Sequence, residues 1–116
     1  MSKIVVYQKT TCTTCREVYS ILKEAHVDFD AVDYYIDPIP KRKLKDLLKK
    51  MGMQAHELLR RNEPLFKELH LIDSSHTEEE LIDLMIKHPD LIQRPIVEKG
   101  SKAIVARPAA RIKEIL

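Results

Sequence analysis

Ile4, Val5, Val6 and Tyr7 form an unbroken apolar run rich in β-branched side chains, the pattern of a short strand buried on both faces. Polar residues from Gln8 to Thr14 follow and offer several helix N-caps. Val18, Ile21, Leu22 and Ala25 then recur at helical spacing, which predicts a helix from about Thr13 to Ala25. Phe29 to Tyr35 alternates apolar and acidic residues, as a second strand would. Pro38 and Pro40 punctuate the chain, and Leu44, Leu47, Leu48 and Met51 mark the core stripe of a helix that Gly52 should end. Helical stretches are expected over Ala55 to Arg61 and from Pro64 toward Leu69. Thr77 with Glu80 reads as a capping box ahead of Leu81, Ile82, Leu84 and Met85, and Pro89 should stop that helix. Ile96-Val97 and Ala103-Ile104-Val105 read as two short strands around a turn from Glu98 to Lys102 with Gly100 at its tip. Pro108 opens a last helix through Leu116.

The order is strand, helix, strand, helical block, β-hairpin, helix. That layout predicts an α/β chain with a thioredoxin-like fold. A mixed four-stranded sheet would be flanked by helices, with an inserted helical block between the second and third strands. No repeat or linker interrupts the chain, so residues 1–116 are expected to form one domain with the insertion at about 40–89.

Composition narrows the function classes. The chain has 116 residues, is 44% hydrophobic, and carries Lys+Arg 20 against Asp+Glu 18 for a net charge of +2. Such a balance argues against a dedicated nucleic-acid binder or a polybasic membrane anchor. No apolar run approaches the roughly 18 residues that span a bilayer. The N-terminus leads straight into the first strand without a signal-peptide pattern, so a cytoplasmic location is expected.

The chemistry concentrates in Cys12 and Cys15, the only Cys-x-x-Cys of the chain. In a reducing compartment such a pair is a poor structural staple. A zinc site would need two further ligands, and the histidines are scattered without companion spacing, so no metal is expected. Plain buried thiols are the bland alternative, and redox or nucleophilic chemistry is the favoured one. Cys12 precedes the first helix, whose unpaired N–H groups and positive dipole end favour a thiolate. Arg16 one turn on would add positive charge, and Cys15 could attack an adduct formed on Cys12. Arg94-Pro95 precedes one hairpin strand and Arg107-Pro108 follows the other, so pairing of the hairpin should return both arginines to one end of the sheet. Together with Arg60, such guanidinium groups could hold a tetrahedral oxyanion, although solvated surface charge is the commoner fate of arginine.

Other features read more plainly. The basic run Lys41 to Lys50 is best taken as a solvated helix face, and Glu78-Glu79-Glu80 as a favourable acidic first turn. Of Tyr34 and Tyr35, one ring should be core and one exposed. Gly52 and Gly100 stand far apart, so no phosphate-binding glycine loop exists and no nucleotide cofactor is expected.

Four segments in order resemble the arsenate reductase family of the glutaredoxin-dependent type and its Spx-like relatives. They are Thr11-Cys12-Thr13-Thr14-Cys15-Arg16, Leu58 to Pro64, His88 to Val97, and Ala106-Arg107-Pro108. The resemblance implies a reductase that converts arsenate, or a similar oxyanion, to arsenite through a covalent adduct on Cys12. Arg60, Arg94 and Arg107 would hold the oxyanion, and Pro95 would be a cis proline. Nothing would be bound as a cofactor; glutathione with glutaredoxin, or a reduced thioredoxin, would supply electrons. The chain departs from the family in having Gln8 where a histidine is usual, and in having Cys15. The second thiol resembles the redox switch of Spx-like regulators, which bind RNA polymerase. It equally suits a general thiol-disulfide oxidoreductase using Cys12 and Cys15.

Overall fold

Strand β1 (Ile4–Gln8) occupies an inner position of a four-stranded sheet ordered β2-β1-β3-β4 in the computed structural model, which describes residues 3–71 and 76–116. The opening Met1 and Ser2 lie outside the described residues. Its unbroken apolar run matches a strand with neighbours on both sides. β2 (Phe29–Asp33) pairs with it in parallel, Ile4 against Phe29 and Gln8 against Asp33. β3 (Ile96–Lys99) pairs antiparallel on the other side, with Tyr7 opposite Ile96. β4 (Lys102–Val105) completes the hairpin. The sheet is mixed and the fold is thioredoxin-like.

Two compact units share the chain: residues Met1–Pro38 with Arg94–Leu116, and Ile39–Gln93. In the first, α1 (Thr13–Glu24) and a C-terminal 3-10 segment (Ala109–Glu114) cover one sheet face. Ile4, Val6 and Val97 from the strands meet Val18 and Leu22 of α1 and Ala109, Ile112 and the capping Ile115 of the C-terminal segment. That segment was expected to be an ordinary helix. Its buried residues recur every third position, which a 3-10 helix with three residues per turn aligns on one face. Tyr7, Ile96, Glu98, Ala103 and Val105 are also buried, and register places them on the opposite face.

The second unit is helical: α2 (Lys41–Met51), a 3-10 turn (Ala55–Leu58), α3 (Pro64–Glu68), α4 (Glu78–Lys87) and a second 3-10 turn (Pro89–Leu91). Gly52 ends α2 in the left-handed region, φ 65°, its N–H donating to the Lys49 carbonyl. The expected helix from Ala55 to Arg61 stops at Leu58. Leu59 bridges Ile92 in antiparallel fashion, while Arg60 N–H donates to Leu91 O at 2.8 Å and Gln93 N–H to Leu58 O at 2.9 Å. Long-range backbone pairing therefore takes the groups that a helix would have used. The capping box is present: Thr77 Oγ1 accepts from Glu80 N–H at 3.1 Å, and Thr77 N–H donates to Glu80 Oε1 at 3.0 Å. The rest of the acidic turn does more than favour the dipole. Glu79 pairs with Lys41 and Lys45, and Asp83 with Lys41 at 2.7 Å, so part of the basic face of α2 is held by α4.

Candidate active site

Cys12 is the N-cap of α1, with extended backbone at φ −78° and ψ 126°. Its own N–H donates to the Lys9 carbonyl at 3.0 Å, closing the loop after β1, and its Sγ accepts from the Cys15 N–H at 3.3 Å. A sulfur therefore stands where a Ser or Asp oxygen usually caps a helix, aimed at the unpaired N–H groups of the first turn. Both cysteines are free; Cys12 is 9% exposed and Cys15 1%.

The two thiols titrate in opposite directions. Burial pushes the Cys12 thiol up, but hydrogen bonds from the Cys15 side chain and backbone and the Arg94 guanidinium outweigh it and hold Cys12 below the ordinary thiol value. Cys15 is pushed up to about 12 by burial and by the hydrogen bond it shares with Cys12. One thiol is thus arranged to carry the charge and its neighbour to keep the proton.

Arg94, two residues before β3, is 7% exposed. Its Nη1 donates to the Tyr35 hydroxyl at 3.4 Å, and no carboxylate pairs with it among the described residues. Its Nε is buried without a hydrogen-bond partner. Burial works against the charge, but Tyr34, Tyr35 and the Cys12 sulfur favour it. A buried, charged guanidinium with an unused N–H beside a low-pKa thiol fits a bound anion.

Arg107 lies at the same end of the sheet, Nη1 donating to the Arg94 carbonyl at 3.3 Å, with its side chain otherwise toward solvent. The Arg94–Pro95 peptide is cis, as is Arg107–Pro108. Arg16 differs from expectation: it is exposed on α1, its N–H donating to the Cys12 carbonyl at 3.1 Å, and the guanidinium beside the thiol belongs to Arg94. Arg60 belongs to the second unit, where its Nε meets Glu63 Oε1 at 3.2 Å.

Sequence reading gave the tyrosines a place in the fold but no part in the site, and passed over Asp33. Tyr34 is buried, but Tyr35 is half-buried rather than exposed, held between the Lys9 ammonium at 4.8 Å from its ring and the Arg94 contact. The signal was the Tyr-Tyr pair directly after β2, at the same end of the sheet as the thiol loop. No group of three or more metal-ligating side chains occurs among the described residues. None of the helices there is long and apolar enough to cross a membrane.

The ArsC family model matches residues 7–115. The chain is 42% identical over 115 residues to the uncharacterized protein YfgD of Escherichia coli K12, covering 98% of this chain and 97% of that one. It is 33% identical over 116 residues to an arsenate reductase of the same organism, covering 100% of this chain and 82% of the relative. Among solved structures, an arsenate reductase from Vibrio cholerae superposes with a TM-score of 0.94 at 31% identity, covering 99% of this chain and 98% of that one.

Proposed function

The chain belongs to the ArsC family of thiol-dependent oxidoreductases, and we propose on that premise that it reduces arsenate to arsenite through an adduct on Cys12. The observation that carries this reading is the buried Arg94 guanidinium, with its unpartnered Nε, beside a thiol whose pKa is held below the ordinary thiol value. A tetrahedral oxyanion would satisfy that N–H and draw the electrophilic centre toward the sulfur. Arg107 would add a second guanidinium at the same sheet end. The family resemblance adds Arg60 as a third anion ligand; that role rests on the matched motif, and Arg60→Ala tests it.

In the first step the Cys12 thiolate attacks arsenic, a sulfur–arsenic bond forms, and one oxygen leaves as water after taking up a proton. Cys15 then attacks Cys12 Sγ. The sulfur–sulfur bond forms as the sulfur–arsenic bond breaks, and the bonding pair leaves with arsenic, which departs as arsenite. The Cys15 proton goes to the product. Two thiols thereby become a disulfide, supplying the two electrons that arsenic gains. Esterification of Cys12 removes the negative charge that helps hold the proton on Cys15, so the second thiol becomes easier to ionise once the adduct exists. A dithiol reductant of the thioredoxin or glutaredoxin class would reopen the disulfide; glutathione attack on the adduct is the other route that the family resemblance implies. No prosthetic group takes part, and a compartment that keeps thiols reduced, such as the cytoplasm, suits the cycle.

The test is arsenite formation by purified protein with glutathione and glutaredoxin in one arm and thioredoxin with its reductase in the other. We expect turnover that Cys12→Ser abolishes, and loss of the thioredoxin-linked arm in Cys15→Ser. Absence of arsenite in both arms overturns the reading. The close thiol pair favours general thiol-disulfide exchange as the second reading, for which turnover of protein disulfides without arsenate would be the mark.

A further inference from the structure

Asp33 closes β2 directly opposite Gln8, the last residue of β1. Its Oδ2 accepts from Thr10 Oγ1 at 2.5 Å and from Thr10 N–H at 3.4 Å, while its Oδ1 accepts from Tyr35 N–H at 3.0 Å. One carboxylate therefore grips two segments. Thr10 sits in the middle of the loop that Cys12 N–H closes on Lys9 O, two residues before the sulfur. Tyr35 reaches the Arg94 guanidinium through its hydroxyl at 3.4 Å and receives the Lys9 ammonium on its ring. The nucleophile loop and the arginine support are thus tied to the same anchor, and neither tie touches the reacting atoms.

We infer that Asp33 is a positioning residue for the Cys12 thiolate, acting through Thr10 on the thiol loop and through Tyr35 on Arg94. A loop fixed at a single capped residue can swing its N-cap sulfur away from the first-turn N–H groups, because backbone beyond a helix end has no ladder to restrain it. The Thr10 contacts remove that freedom two residues before the cap. Alignment matters steeply here, since thiolate stabilisation depends on hydrogen-bond direction and on proximity to the guanidinium. Asp33 is ionised through the neutral range: its hydrogen bonds from Thr10 and Tyr35 lower its pKa despite some burial. The anchor is therefore a charge-assisted acceptor wherever the thiol chemistry operates.

This role builds on the reading of Cys12 as nucleophile, but its test needs no arsenate. The probe is iodoacetamide, with the pH dependence of Cys12 alkylation followed in a Cys15→Ser background so that one thiol reports. We expect Thr10→Ala and Asp33→Asn each to move the midpoint upward by about half a pH unit or more. Thr10→Ser, which keeps the hydroxyl, should hold the parent midpoint. Thermal melts run in parallel separate positioning from folding; should Asp33→Asn melt far below the parent, the Thr10→Ala and Thr10→Ser pair decides. An unchanged midpoint in Thr10→Ala, or the same rise in Thr10→Ser, overturns the inference. A raised midpoint in a protein that makes no arsenite would retain the positioning role while removing the substrate.

Discussion

The backbone N–H of Cys15 donates to the Sγ of Cys12 at 3.3 Å, so the residue that keeps its own thiol proton helps to hold its neighbour's charge. Alkylation should therefore be sharply asymmetric. At pH 7.5 and under reducing conditions, iodoacetamide should modify Cys12 and leave Cys15 intact, as peptide mass spectrometry would show. Arg94→Ala should move the Cys12 midpoint upward, because a cation favours the thiolate and its loss favours the thiol. A first modification at Cys15 would contradict the arrangement.

Cys15 also couples folding to pH. Its folded pKa of about 12 lies above the unfolded thiol value of roughly 8.5. Its contribution to stability is therefore fully present below about pH 8.5 and lost as pH rises through that window toward 12. Cys12 runs the other way: its contribution is present above the unfolded value and declines as pH falls through its lowered folded pKa. The advantage in melting temperature of the parent over Cys15→Ser should shrink between pH 7.5 and 10.5 in reducing buffer. Parallel curves would show that Cys15 ionises as readily folded as unfolded.

Arg94→Lys should cost about a hundredfold in kcat/KM for arsenate, since an ammonium keeps the charge but not the planar fork. Calorimetry or a thermal melt should show only a small change, because the buried Nε is already unpartnered in the parent. Near-parental turnover in this variant would mean that the oxyanion is held elsewhere.

Tyr7 hydroxyl donates to Glu98 Oε1 at 3.2 Å, and Glu98 is 6% exposed. Tyr7→Phe should destabilise by about 1 kcal/mol in urea titrations, the ordinary net worth of one buried hydrogen bond. Val5 pairs with Glu98 on the face opposite Ile4 and Val6, which pack against α1. The alkylation midpoint of Cys12 should consequently stay where it is.

Thr77→Ala removes the acceptor for Glu80 N–H at the start of α4. The expected loss is about 1 kcal/mol of stability, measured by urea midpoint, with thiol reactivity unchanged.

Thr77 and Glu80, the leucines of α2, and the runs at β1 and the hairpin were legible in the sequence because each is a local rule. A cap is satisfied within one turn, an apolar stripe within one helix, and a strand by its own side chains. The thiol at the head of α1 belongs to the same class, since the N-cap position depends on neighbours within three residues. Where remote backbone competed, local reading failed. Leu59 left its expected helix for a bridge to Ile92, and Glu98 moved from a turn into β3 opposite Val5.

Local patterning along the chain was enough to set the strand-helix order, the Cys-x-x-Cys at a helix start, and the two Arg-Pro steps flanking the hairpin. Which cation serves the sulfur depends on long-range packing. Arg16 is four residues from Cys12 yet exposed, whereas Arg94, remote in sequence, is buried beside it and braced by Tyr35. The anchor at Asp33 was invisible for the same reason: its link to Thr10 exists only because β1 and β2 pair in parallel and end together. Electrostatic strength depends on separation in space and on burial, and both are set by how the sheet brings its strand ends together rather than by distance along the chain.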